Sequence, residues 1–395
     1  MRSVVVLGLF LAPHVVAGGA APVLTPATAP VPAPLVWTSA TESPQLAGDG
    51  TLTDRQKDLL AHCGTVDLAL VRVAARMVER KAAGLPFLDT ESLSFAQRVE
   101  GEPHVWPRAW AVSGRALDHE ATRKKLQTWR DSFRDLGVRR CGVASGVAPD
   151  GTEIVAAIAL DALADLEPLP THARTGQWLE VTAHLLVPAS AARVVVLGPG
   201  GDPRRVPTLL EGSRVRARFA PDRPGAFTVQ IVADVATGPR PILEARVFAD
   251  VAPPRDLPNT AAPGEDARAA SSEPASQLAA MVAALRDEEG LGPVNREAGL
   301  DAIADAHARR MLDARAVGHD VGDGEPTRRL QNANIPAREA GENVAHAATL
   351  KLAHRALWQS PSHRANLLRA DFTRAGYGVA VDPDGSVWIT ETFAR

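Results

Sequence analysis

The sequence predicts an α+β chain with more than one folded region, and three observations carry that expectation. Its 395 residues exceed what a single core ordinarily organises. Apolar residues recur at helical intervals near both ends of the chain, whereas the stretch from Leu169 to Val251 is built from short β-branched runs separated by Gly, Pro and Asp. Two proline-rich stretches, 22–40 and 253–275, have too little large apolar surface to offset ordering entropy and read as linkers.

At the N-terminus, Met1-Arg2 precedes an apolar run from Val4 to Leu11 and small residues Ala17-Gly18-Gly19-Ala20-Ala21, the pattern of a secretory signal peptide over 1–21. A buried strand interrupted by Pro13 is the alternative. The apolar run is too short for a transmembrane helix, so the expectation is a secreted protein, periplasmic or extracellular, with no transmembrane segment. A net charge of -3 gives no electrostatic footprint for nucleic acid.

Residues 45–167 predict an α+β region. Leu59, Leu60, Val66, Leu70, Val73, Ala74 and Met77 recur as one helical stretch, and a second helix is expected over 120–133 with Leu126, Trp129 and Phe133. Then follow Cys141-Gly142-Val143-Ala144, the turn Pro149-Asp150-Gly151 and a strand from Ile154 to Ile158. Cys63 and Cys141 are the only cysteines. In an oxidising compartment they are expected to form a disulfide, two buried thiols being the alternative.

Residues 170–252 predict a small β-sandwich, from runs such as 193–197, 214–219 and 227–232. The segment from Phe219 to Val229 resembles the late strands of bacterial immunoglobulin-like modules. Spacing is the expected role of this region, and partner docking the alternative.

Residues 276–395 carry the chemistry. Leu278, Met281, Val282 and Leu285 form one amphipathic stripe; Leu300, Ile303, Ala304, His307 and Met311 form the next, where His307 reads as a core histidine. His319 follows Gly318 beyond the helix, where a loop can aim it into a cleft. Glu342, between Gly341 and Asn343, would fix an imidazole tautomer, complete a metal shell or brace its loop. Ser360 as N-cap and Pro361 as first helical residue place His363 in an opening helical turn, whose positive end favours the neutral ring. Glu391 shares a strand face with Val387, Ile389 and Phe393, and is expected to be exposed. The order Gly378-Val379-Ala380, Pro383-Asp384-Gly385, Val387-Trp388-Ile389 repeats that around Cys141 with a spacing two residues different. An internal duplication, its first copy degenerate and without the His363 loop, would account for this; a chance reuse of a Pro-Asp-Gly turn would too.

The succession of His319, Gly-Glu-Asn, Trp358, Ser360-Pro361-Ser362-His363-Arg364-Ala365-Asn366-Leu367, Gly376-Tyr377-Gly378-Val379-Ala380 and the terminal strand to Phe393 resembles the CAP superfamily of SCP-like extracellular proteins, in its bacterial form. The resemblance covers about 276–395. It implies an α-β-α sandwich with a surface cavity, two histidines carried over to His319 and His363, and an acid carried over to Glu342. Many animal members add a glutamate shortly after the tryptophan, where this chain has Gln359-Ser360-Pro361.

Three functions compete. The first is a binding module whose cavity takes a divalent metal such as zinc on His319 and His363, or a small ligand, lipid or envelope component. The second is a structural or interaction protein of the cell envelope. The third is a weak metal-assisted hydrolase, for which the sequence has neither a Gly-x-Ser-x-Gly elbow nor a His-Glu-x-x-His helix. An enzyme is thus the last reading.

Overall fold

Capping chemistry sets where the first helices begin. In the computed structural model, which describes residues 36–37, 52–88, 90–132, 136–254 and 260–395, a two-residue strand β1 (Val36–Trp37) precedes helix α1 (Asp54–Ala61). The signal peptide over 1–21, most of the 22–40 linker and Phe133 lie outside the described residues. Thr53 Oγ1 accepts from Gln56 N at 3.2 Å while Gln56 Oε1 accepts from Thr53 N at 2.8 Å, a reciprocal cap. The single helical stretch expected from Leu59 to Met77 is broken: β2 (Thr65–Val66) intervenes, and α2 (Leu68–Ala82) starts afresh. The reason is Asp67, whose carboxylate accepts from Leu70 N at 3.0 Å and whose own N–H donates to Cys141 O at 2.9 Å, ending one element and capping the next.

Helix α3 (Thr90–Val99), β3 (Arg108–Gly114), α4 (His119–Asp131), β4 (Val138–Val147) and β5 (Glu153–Ala162) complete the region. The sheet runs β2-β4-β5-β3, with β2 parallel to β4 and the other pairs antiparallel. Alternation along β5 feeds two cores: Ile154, Ala156 and Ile158 meet α2, whereas Val155, Ala157 and Ala159 meet Leu59, Leu60 and Leu126 of α1 and α4. Cys63 and Cys141 are joined by a disulfide with Cα atoms 5.9 Å apart across 78 residues of sequence. Replacing both by Ser is expected to lower stability by about 2–5 kcal/mol, because closing so long a loop restricts the unfolded chain; denaturant titration of oxidised wild type against the double variant checks this.

The middle region contains β6 (Ala164–Leu166), β7 (Leu169–Pro170), β8 (His172–Ala173), β9 (Leu179–Leu185), β10 (Ala192–Leu197), β11 (Arg204–Val206), β12 (Thr208–Glu211), β13 (Arg214–Phe219), β14 (Gly225–Val235) and β15 (Gly238–Ala249). They form the sheets β11-β10-β14-β15-β8 and β12-β13-β9-β6, and β1 pairs with β7. Inward residues of both larger sheets, among them Val181, Val194, Val215, Phe219, Phe227 and Val247, share one buried core.

The expected linker 253–275 departs from expectation over its described end. Ala262 is buried, Glu265 Oε2 accepts from Arg355 Nε at 2.9 Å, and His354 Nε2 bonds Pro263 O at 2.9 Å. A ring hydrogen bond and an ion pair order it, where composition had shown only a shortage of large apolar residues.

The last region comprises α5 (Pro274–Glu288), β16 (Asn295–Arg296), α6 (Ala298–Ala314), α7 (Pro326–Asn332), β17 (Ala340–Ala347), α8 (Leu350–Gln359), α9 (Pro361–Leu367), β18 (Arg374–Val381) and β19 (Val387–Ala394). Its sheet runs β16-β18-β19-β17, with β16 parallel to β18 and the rest antiparallel. Helices α5 and α8 cover the face bearing Tyr377, Ile389 and Phe393, and α6 covers the face bearing Val344, Ala380 and Trp388. Strand order and direction match those of β2-β4-β5-β3. The match reaches single atoms: Glu297 N donates to Ala375 O at 2.9 Å, as Asp67 N does to Cys141 O. The ladders place Gly142 opposite Ile158 and Gly376 opposite Thr392, so these two glycines correspond, and both turns then align without an offset. The two-residue discrepancy in the sequence came from matching Gly142 to Gly378. No helix among the described residues is long and apolar enough to cross a membrane.

Candidate functional site

The site grows from the turn between α6 and α7. Helix α6 ends at Arg315, whose left-handed backbone (φ 50°) turns the chain back over the sheet and brings Gly318 and His319 beside β17. His307, in the last half of α6, is fully buried with both ring nitrogens used: Nδ1 lies 2.6 Å from Asp323 Oδ2 and Nε2 2.9 Å from Gly318 O. It is a brace for the loop that carries His319, consistent with its place on an apolar stripe.

Glu342 is the hub. Its side chain is wholly buried, His319 Nδ1 lies 2.8 Å from Oε1, and Arg329 of α7 pairs with Oε2. Arg329 also donates to His319 O at 2.7 Å and Gly324 O at 2.6 Å, so one guanidinium holds both the acid and the loop. Burial raises the Glu342 pKa, but the His319 hydrogen bond and the charges of Arg329, His319 and His307 more than offset it, leaving a carboxylate. A carboxylate that accepts from Nδ1–H keeps that proton on Nδ1, so that whenever the His319 ring carries a single proton its lone pair is on Nε2. Of the roles open to Glu342 in the sequence, the geometry matches the orienting one, because both oxygens are occupied.

His363 sits in the first turn of α9, buried behind the mouth. Its pKa is pushed down to about 3, by burial first and then by the neighbouring charge of His319, so the ring is neutral. The neutral form was expected from the helix end; burial is the larger cause. Ser360 occupies the N-cap position without a capping hydrogen bond, since Gln230 Nε2 of β14 donates to its Oγ at 3.3 Å. Gln230 Oε1 in turn accepts from Ser362 N at 3.0 Å, tying α9 to the middle region.

Beneath the histidines lies a network that sequence reasoning missed. Asn343 Nδ2 donates to His363 O at 3.2 Å and to Glu391 Oε2 at 2.9 Å, and Asn366 Nδ2 donates to Asn343 Oδ1 at 2.9 Å. Glu391, expected to be exposed, is fully buried. Its period-two grouping with Ile389 and Phe393 was the available signal. Burial pushes its pKa up to about 7, partly opposed by the Asn343 hydrogen bond. A carboxyl raised in the folded state contributes stability that is present below its unfolded pKa of 4.5 and lost as pH rises through 7. Glu391→Gln is therefore expected to match the parent near pH 4 and to exceed it by about 3 kcal/mol at pH 8. Urea titrations of both proteins at the two pH values check this.

Three regions meet at the mouth of the cavity. A small crevice of about 10 Å³, room for roughly one water molecule and open to solvent on one side, is lined by Trp106, Thr237, Arg240, Gly318, His319 and Val344. Gly238, at the turn between β14 and β15, lies so close to the Glu325 carboxyl that an added Cβ would fall 2.3 Å from it. Of the two histidines, His319 lines this crevice, and no group of three or more His, Cys, Asp or Glu among the described residues is placed to hold a metal ion. With Glu342 engaged, a resident metal with a full protein shell does not fit these residues.

In the β2-β4-β5-β3 sheet, the positions matched by register to Glu342, Asn343 and Glu391 are Ala109, Trp110 and Ala157, and Met77 stands where α6 has His307. Among the described residues, no helix there corresponds to α9. The matched positions thus hold polar side chains in one region and apolar ones in the other, Met77 and Ala157 buried and Ala109 exposed.

Residues 279–393 match the family model for the cysteine-rich secretory protein (CAP) family. No curated protein matches this sequence. Among solved structures, the chain is similar to an outer surface protein from Borrelia burgdorferi, at 20% identity and a TM-score of 0.30, covering 33% of this chain and 98% of that one. It is also similar to an extracellular protein containing an SCP domain from Bacillus anthracis, at 16% identity and 0.29, covering 59% and 86%. A third is a cysteine-rich secretory protein from Staphylococcus aureus, at 10% identity and 0.26, covering 64% and 85%.

Proposed function

We propose that the C-terminal region, which is a CAP-superfamily domain over 279–393, serves as a binding module through the cavity bearing His319 and His363. One observation carries this reading. The buried Glu342 carboxylate holds His319 Nδ1 at 2.8 Å and thereby leaves Nε2 as the lone-pair site, while His363, a ring that burial keeps neutral, is near enough for the charge of His319 to lower its pKa. Two imidazoles, with no third protein donor placed beside them among the described residues, suit a weakly held divalent cation such as zinc, whose other positions go to water or to a ligand. Calorimetric zinc titration of the whole chain against His363→Ala tests this. A heat for the parent that the variant lacks is expected; equal heats from both would remove the metal from the reading.

A structural or interaction role in the envelope is the second reading, favoured by the missing third donor among the described residues. Hydrolysis ranks last: the Oγ of Ser360 is turned to Gln230, away from the role of nucleophile.

The same reading extends to the rest of the chain. Matched strand order, the paired Gly142 and Gly376, and the shared turn hydrogen bonds support an N-terminal region (45–167) that is a degenerate copy of the CAP-like fold, retained for packing. The two sheets around one core support an immunoglobulin-like sandwich over 170–252. The disulfide and the apolar N-terminal stretch support secretion.

A further inference from the structure

Arg240, near the start of β15, is 8% exposed, and burial pushes its pKa down. A buried guanidinium is ordinarily paired with a carboxylate, because an uncompensated charge away from water is strongly destabilising. This one is not: among the described residues, its contacts are Thr237 Oγ1, at a long 3.4 Å from Nη1, and the face of Trp106, 5.7 Å away. Its Nε is buried without a partner, as is Trp106 Nε1. Asp161 acts on it only from beyond ion-pair distance and is engaged by Arg139 Nε at 2.7 Å. The Glu325 carboxyl, packed beside Gly238 at the β14-β15 turn, has its pKa raised, by burial first. Trp106 is held with a left-handed backbone (φ 65°), a conformation rare for a bulky residue. Two donor side chains from two regions are therefore held, undersatisfied, on a crevice that ends at His319.

We propose that this crevice is an oxyanion site, taking an oxygen of the carboxylate or phosphate group of a small ligand on Arg240, with the Trp106 ring as its wall. The guanidinium makes charge-assisted hydrogen bonds with either oxyanion. The β14-β15 turn and Trp106 would then form the outer half of the binding site whose inner half is His319 and His363. The inference rests on the cavity reading for its setting, but an anion on Arg240 needs no metal on the imidazoles.

The test uses the full chain in chloride buffer at constant ionic strength, with inorganic phosphate and acetate as separate titrants in calorimetry. Saturable binding of at least one of them is expected, weakened at least tenfold by Arg240→Gln and less by Arg240→Lys. Vesicles of phosphatidylglycerol in phosphatidylcholine distinguish the source: pelleting that inorganic phosphate competes away assigns a lipid headgroup, and binding of the free anions without pelleting assigns a soluble ligand. Circular dichroism and a thermal-unfolding midpoint of Arg240→Gln matching the parent show that the fold is intact; should that variant not fold, Arg240→Lys carries the comparison. Binding by neither anion, or equal binding by parent and Arg240→Gln, would overturn the proposal.

Discussion

Glu342→Ala is expected to destabilise the chain by about 3–5 kcal/mol, the cost of breaking a buried ion pair from one side. Arg329 is buried and pairs most closely with Glu342, its second carboxylate partner among the described residues, Asp323, lying 3.6 Å from Nη1. Without that carboxylate, a guanidinium remains in a low-dielectric pocket, still tied to His319 O and Gly324 O. Nδ1 of His319 loses its acceptor as well. Glu342→Gln keeps the volume and one acceptor oxygen but removes the charge, so about half the loss is expected. Urea titration of the two variants gives the order Ala below Gln below parent; a loss under about 1 kcal/mol for Ala would show that Arg329 finds another partner.

Gly376→Ala is expected to destabilise comparably or to prevent folding. A Cβ there would fall 2.1 Å from the Leu300 carbonyl carbon and 2.4 Å from Asp301 N. Those atoms cannot retreat cheaply, since α6 is fastened to the strand by Glu297 N to Ala375 O at 2.9 Å and by Tyr377 N to Asp301 Oδ1 at 2.8 Å. Overpacking against backbone is at the upper end of what single substitutions cost, about 3 kcal/mol or more. Gly142→Ala meets Leu70 and Val71 backbone at 2.0 and 2.1 Å and is expected to behave alike. Gly385→Ala supplies the contrast: φ is 87° but nothing lies within 4 Å, so only backbone strain of about 1–2 kcal/mol applies. Thermal unfolding of the three variants is expected to separate the two helix-facing glycines from the turn glycine.

Much of the C-terminal region was legible because its signals are local. The stripe of Leu278 to Leu285, Pro361 opening α9 and the Pro-Asp-Gly turn each rest on periodicity or on one residue's backbone preference. His319 and Glu342, 23 residues apart, do meet. What stayed hidden depends on partners distant in sequence. Arg329 gave no local sign that it would anchor Glu342, because an isolated pair such as Arg328-Arg329 has the composition of an ordinary solvated surface. Glu391 was misplaced because a strand's period of two does not say which side is covered; the Asn343 amide across the ladder permits its burial. The break between α1 and α2 hinged on Asp67 pairing with Cys141, more than 70 residues away, which apolar spacing cannot register. The closing of the cavity mouth by Trp106 and Arg240 brings together segments over 130 residues apart, and no local pattern encodes it.

The central claim is that Glu342 and Arg329 hold His319 with its proton on Nδ1, leaving Nε2 to act with a neutral His363. Long-range proton–nitrogen correlation spectra of the imidazoles at pH 7, recorded before and after addition of zinc, read this directly. The account predicts a His319 ring protonated at Nδ1, a neutral His363 ring, and zinc-dependent shifts at both. A His319 ring protonated on Nε2 alone, or two rings that zinc leaves unmoved, would contradict it.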